Sequence, residues 1–152
     1  YAAELARELC REREPHPEIF ALLLRFLQAL ARGGAGAVGL MRYELAALAQ
    51  AGLMPRLDHC ARCGTDWLEG AMFDPEHGGV LCAQCAPRAG VRVSTEAARA
   101  LALLQRAGGA EEAPLPARVR HEARAMLAGF VAHHLGRRLK SYEFMQEVGV
   151  EG

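Results

Sequence analysis

Four cysteines in two matched pairs constrain this chain more than anything else in it. Cys60 and Cys63 are two residues apart, eighteen residues follow, and Cys82 and Cys85 repeat the spacing. Two intervening residues let one tight turn aim both sulfurs at a single ion, and two such turns complete a tetrahedron. Gly64, directly after the first pair, suits that turn. Between the pairs, Ala71-Met72-Phe73 and Gly79-Val80-Leu81 read as short strands joined by Asp74-Pro75-Glu76-His77-Gly78. The pattern predicts a zinc-ribbon-like module over 58–88, a short β-hairpin with one structural zinc on Cys60, Cys63, Cys82 and Cys85. A segment this short cannot build a core alone, so the metal supplies its folding energy. Two disulfides or four idle thiols are the alternatives. The absence of a signal peptide argues against the first and the matched pairing against the second. Four thiolates close the shell, which speaks against a catalytic metal. His59 and His77 read as bystanders.

Around the module the texture is helical. Helices are predicted over 1–13, 17–32, 38–51, 95–107 and 116–138. Pro17 suits a first turn, Ser94 an N-cap, and Gly33-Gly34 and Gly52 helix ends. In the second helix Glu18, Ala21, Arg25, Gln28 and Arg32 form one thin stripe in an otherwise apolar segment, so it is expected to be central and buried on most sides. The fold class is therefore all-α: a helical bundle, 1–57 and 89–148, with the four-cysteine module inserted between its third and fourth helices. Cys10, among Ala3, Ala6 and Leu9, reads as a small buried hydrophobe. Glu111-Glu112 reads as a solvated turn. The longest apolar run, Ile19 to Leu24, is far short of the ~20 residues a membrane span needs.

Charge limits function further. Eighteen basic and eighteen acidic side chains cancel, which excludes a bulk polycation that coats nucleic acid. Aromatics make up 6%, too few for an evident base-stacking platform. There is no phosphate-binding Gly-rich loop, no GxSxG and no HExxH. His133 and His134 are adjacent on a helix and point about 100° apart, so they are a poor chelating pair. No nucleophile stands beside a base, and the expectation is a protein that is not an enzyme. One segment is strongly basic. Arg118, Arg120, Arg124, Arg137, Arg138 and Lys140 face the single acid Glu122 over 118–140. Arg120, Arg124 and Arg138 fall along one edge of the apolar face that carries Leu127 and Val131. A solvated helix edge is one reading. The other is a site for an anionic partner, better suited to an acidic, hydrophobic peptide than to bare DNA.

Order and texture together resemble the C-terminal part of the bacterial recombination mediator family RecO. The resemblance rests on Tyr1-Ala2-Ala3-Glu4-Leu5, on Pro17-Glu18-Ile19-Phe20, and on Gly52-Leu53-Met54-Pro55 leading into Cys60-Ala61-Arg62-Cys63-Gly64. It continues through Gly78-Gly79-Val80-Leu81-Cys82 and closes on Lys140-Ser141-Tyr142-Glu143-Phe144. It implies a non-enzymatic DNA repair protein that binds and anneals single- and double-stranded DNA and works with RecR. It also implies docking of the acidic tail of single-stranded DNA-binding protein, help in loading RecA, and a cytoplasmic, nucleoid-associated place in a bacterium. The family's N-terminal OB-fold is absent from these residues, and the chain opens on Tyr1, so it is expected to be the downstream part of a longer protein whose DNA binding alone is weak. On this reading the basic edge, with Arg137 and Lys140 beside it, receives the tail. A zinc-ribbon adaptor of transcription or translation machinery, or a thiol redox sensor, are the rival functions.

Overall fold

The computed structural model describes residues 1–10, 13–66, 70–86, 92–106 and 115–149. Among them lie six helices and one hairpin: α1 (Ala2–Leu9), α2 (Pro17–Ala31), α3 (Ala37–Gln50), β1 (Met72–Asp74), β2 (Gly79–Leu81), α4 (Thr95–Arg106), α5 (Ala117–Leu135) and α6 (Lys140–Glu147). The predicted helical bundle with a four-cysteine hairpin is the architecture observed. Glu111 and Glu112 lie outside the described residues.

Helix ends follow local chemistry. Pro17 opens α2 at its first turn. Ser94 caps α4, its Oγ accepting the Ala97 N–H at 3.1 Å, and its backbone N–H and hydroxyl both donate to Glu122 on α5. α1 stops at Leu9, short of the expected 13, because Cys10 is already extended at φ −85°, ψ 131°. Cys10 itself is half-buried. α5 stops at Leu135 because Gly136 takes the left-handed conformation, φ 68°. The chain then turns and starts α6, which lies beyond the helix expected over 116–138. The Glu4 carboxylate accepts the N–H groups of Lys140 and Ser141 at 3.1 and 2.9 Å, capping α6 from α1. Those bonds, with the Ser141 hydroxyl foremost, hold the Glu4 carboxyl down to about 2.

The central helix is α3, not α2. α3 packs against α1, α2, α4 and α5, and buries Val38, Met41, Tyr43, Leu45 and Leu48. α2 buries only Ile19. Its other apolar side chains point both ways: Phe26 stacks on Tyr43 at 5.1 Å, whereas Leu24, Leu27 and Leu30 are exposed and Phe20 is 66% exposed. An apolar composition all round reports that a helix has much to bury, not that the bundle has neighbours for every side.

The hairpin pairs Met72 with Leu81, Phe73 with Val80 and Asp74 with Gly79. Arg56 makes an isolated bridge beside β2, where Val80 N donates to Arg56 O and Arg56 N to Gly78 O, both at 2.9 Å. The hairpin does not stand apart from the helices. Leu57, Ala71, Phe73 and Val80 belong to the same core as Leu5, Met41, Leu101 and Phe130, and the rings of Phe73 and Phe130 lie 5.9 Å apart. The expected insertion at 58–88 is thus a segment of one core; its far boundary lies outside the described residues.

Gly79 is where Arg56 approaches most closely. A Cβ there would sit 2.1 Å from the Arg56 carbonyl oxygen, which is backbone and cannot swing away. Gly79→Ala is therefore expected to destabilise by more than the ~1–3 kcal/mol of ordinary overpacking. Urea melts of the variant check it; an unchanged midpoint would mean that Arg56 yields.

Candidate metal centre and flanking surfaces

Two backbone turns bring the cysteines together. On the first, Gly64 N donates to Cys60 O at 2.9 Å and Gly64 takes φ 73°. On the second, Cys85 N and Ala86 N donate to Cys82 O at 3.0 and 2.9 Å. Ala61 N donates to Val80 O at 2.7 Å and ties the first turn to β2. All four Sγ atoms lie within 4.8 Å of one another, with Cys63 and Cys82 3.8 Å apart. A tetrahedral site with metal–sulfur bonds of ~2.3 Å has edges of ~3.8 Å. Cys60 is buried and Cys63 exposed.

Thiols this close cannot all ionise unaided. Burial pushes the Cys60 thiol up, but backbone N–H groups at Cys82, Cys63 and Arg62 outweigh it and bring it down to about 6. Thr65, whose hydroxyl lies 3.3 Å from the Cys63 sulfur, lowers that thiol too. Hydrogen bonding with Cys63 pushes Cys85 up to about 12. The cluster therefore favours some thiolates and needs a cation to hold all four. Four soft sulfur donors in this geometry fit a structural metal ion and leave no position for water. His59 pairs with Asp58 at 2.6 Å and His77 with Asp74 at 2.7 Å, and neither joins the cluster.

The predicted basic edge does not assemble. Arg124 is 7% exposed, and its guanidinium donates to Glu44, which is fully buried. Tyr1 donates its hydroxyl to the same carboxylate, and the Arg124 guanidinium lies 5.2 and 5.8 Å from the Tyr1 and Tyr142 rings. Burial pushes the Tyr1 phenol well up and Glu44 pushes it further, so it stays protonated. Arg120 turns back to Leu115 O at 2.9 Å, and Arg137 pairs with Glu8 at 2.8 Å. Leu127 is a core residue. Lys140 is exposed at the start of α6. Only Arg138 and Val131 meet, with His133 and Tyr142, in a groove of about 510 Å³ between α5 and α6. A helical wheel ranks faces by angle; it cannot show that Glu44, on another helix, claims Arg124.

A second groove, about 520 Å³, lies where α2, α3 and α4 meet. Leu22, Phe26, Met54 and Leu104 are among its walls, and among the described residues its charged side chains are Arg25 and Arg42, with no carboxylate. Its residues come from three helices and the connecting turns, so no local pattern in the sequence marks it as a groove. The one signal in the chain is Arg25, set among Leu24, Phe26 and Leu27.

No helix among the described residues is long and apolar enough to cross a membrane. A family profile described as "Recombination protein O C terminal" matches residues 1–143. The chain is 48% identical over 154 residues to a protein named DNA repair protein RecO from Myxococcus xanthus (strain DK1622), which covers 99% of this chain and 62% of that protein. A protein of the same name from Anaeromyxobacter sp. (strain Fw109-5) is 54% identical over 155 residues, covering 98% and 60% respectively. Another, from Nocardioides sp. (strain ATCC BAA-499 / JS614), is 38% identical over 144 residues, covering 92% and 59%. The chain thus spans about three-fifths of the length of these curated relatives.

Proposed function

The chain belongs to the Recombination protein O C-terminal family, and from that premise we propose that it serves DNA repair and recombination as a non-enzymatic mediator module. The profile match along residues 1–143 carries this reading. The ion at Cys60, Cys63, Cys82 and Cys85 is zinc and its role is structural. The module acts in the bacterial cytoplasm, at the nucleoid, together with RecR and upstream of RecA loading. Its own hold on DNA is weak, because its charges cancel. Filter binding of single-stranded DNA should therefore fall steeply between 50 and 200 mM salt, as phosphate contacts release counterions. Tight binding insensitive to salt would refute the point.

The acidic, aromatic-ended tail of single-stranded DNA-binding protein docks in the groove between α2, α3 and α4. Charge complementarity supports this site over the α5 face. Among the described residues its charged side chains, Arg25 and Arg42, are both positive, and its walls offer apolar seats for a terminal ring. Fluorescence anisotropy with an Asp-Asp-Asp-Leu-Phe peptide tests it. Arg25→Ala should weaken binding roughly fivefold, the scale of an exposed ion pair worth ~1 kcal/mol. Met54→Asp, which puts a carboxylate on an exposed wall residue, should weaken it more. Losses at Arg138→Ala instead would place the tail between α5 and α6.

A further inference from the structure

The cysteine cluster and the apolar groove share a piece of backbone. α3 ends at Gln50, and the chain runs through Leu53, Met54 and Pro55 to Arg56, Leu57 and Cys60. Met54 is a wall of the groove. Pro55 is fully buried, and its carbonyl accepts the Gln105 side-chain N–H at 2.7 Å. Gln105, from α4, lines the same groove. One residue further on, Arg56 is laced to the hairpin on both sides, donating to Gly78 O and accepting from Val80 N. Val80 in turn accepts from Ala61 N, next to Cys60, and lies two residues before Cys82. From the sulfurs to the groove wall, every step is a backbone segment or a hydrogen bond of 2.7–2.9 Å.

We infer that metal occupancy of the cysteine cluster sets the shape of the groove between α2, α3 and α4, and so regulates docking of an acidic peptide there. The inference rests on the docking site proposed above. With an ion bound, Cys60 and Cys82 clamp residues 56–61 against β2. Pro55 is then fixed where Gln105 reaches it, and Met54 stands at the groove edge. Without the ion, the thiols no longer hold the two segments at one spacing. The Arg56 segment loosens, the Pro55–Gln105 bond lengthens, and Met54 and Gln105 shift together. Coupling needs two sites and an element whose position both of them bias. Here that element is the segment Met54–Arg56. The opposite wall, Leu22 and Phe26, is carried by α2, which packs on α1 and α3, and it should stay in place.

The test measures the Asp-Asp-Asp-Leu-Phe peptide on zinc-loaded and chelator-stripped protein, with the Met54 methyl resonance as a second readout. Stripped protein should bind the peptide about five- to tenfold more weakly, the low end of ordinary coupling. The Met54 methyl should move on stripping while that of Met41, in the core, holds. In Gln105→Ala, which keeps all four cysteines and the Met54–Arg56 backbone but loses the bond to Pro55, the ratio of loaded to stripped affinity should shrink, a change that loss of a mere wall contact would not produce. Equal affinities in the wild type with an unmoved Met54 methyl would overturn the coupling. No binding to the loaded protein would instead sink the docking site, and the Met54 methyl would still decide whether metal and groove are linked.

Discussion

Glu44→Ala is expected to destabilise the chain by about 3–5 kcal/mol, the scale of leaving one member of a buried ion pair behind. Glu44 is fully buried on α3 and accepts from both Tyr1 and Arg124. Removing its carboxylate strands a guanidinium that is 7% exposed, with only two aromatic faces for company. Cation–π contact, worth ~2 kcal/mol when desolvated, is already present in the wild type and does not replace the lost carboxylate. The double variant Glu44→Leu, Arg124→Met removes both charges at similar volume and should recover most of the stability. Denaturant midpoints of the two variants decide it. A double variant as unstable as Glu44→Ala would mean that the pair holds α1, α3, α5 and α6 together by more than its charge.

Chelation of the metal should lower the melting temperature by about 10 °C or more, and in a single transition. Zinc bound by four thiolates contributes many kcal/mol to small modules, and for a chain of this size each kcal/mol moves the midpoint by ~2–4 °C. The single transition follows from packing. Phe73 and Val80 sit in the core that holds α1, α3, α4 and α5, so the hairpin cannot come loose without opening that core. Cys60→Ser should behave like chelation. Calorimetry showing an early, separate transition for the ribbon, with the helical melt unmoved, would make it an independent unit after all.

What could be read from the chain, and what could not, divides along a physical line. The cysteine cluster, the hairpin strands and the Ser94 cap are local: a handful of neighbouring residues determines each. α2 and Arg124 are not. Phe20 and Leu24 look like core from their composition, yet whether a surface is covered depends on where other helices run. Arg124 looks like part of a charged edge, yet it lies under Tyr1 and Tyr142 because Glu44, eighty positions away, supplies an anion there. Gly136 lies between. A glycine after a helical run permits either a bend or a stop, and the left-handed turn that separates α5 from α6 belongs with Glu4 capping the next helix from α1. The groove at α2, α3 and α4 was least legible of all, since its residues become neighbours only after three helices have packed.

The unequal exposure of the four sulfurs gives the cluster a front and a back. Cys63 faces solvent beside Thr65, while Cys60 lies in the interior behind it. A chelator or competing thiol would meet the exposed Cys63 before the buried Cys60. Where exchange follows exposure, an ion held there would leave Cys63 first and Cys60 last, with the half-buried Cys82 and Cys85 between. Cys63 would then govern how quickly exchange begins, and Cys60 how often a half-released ion is recaptured.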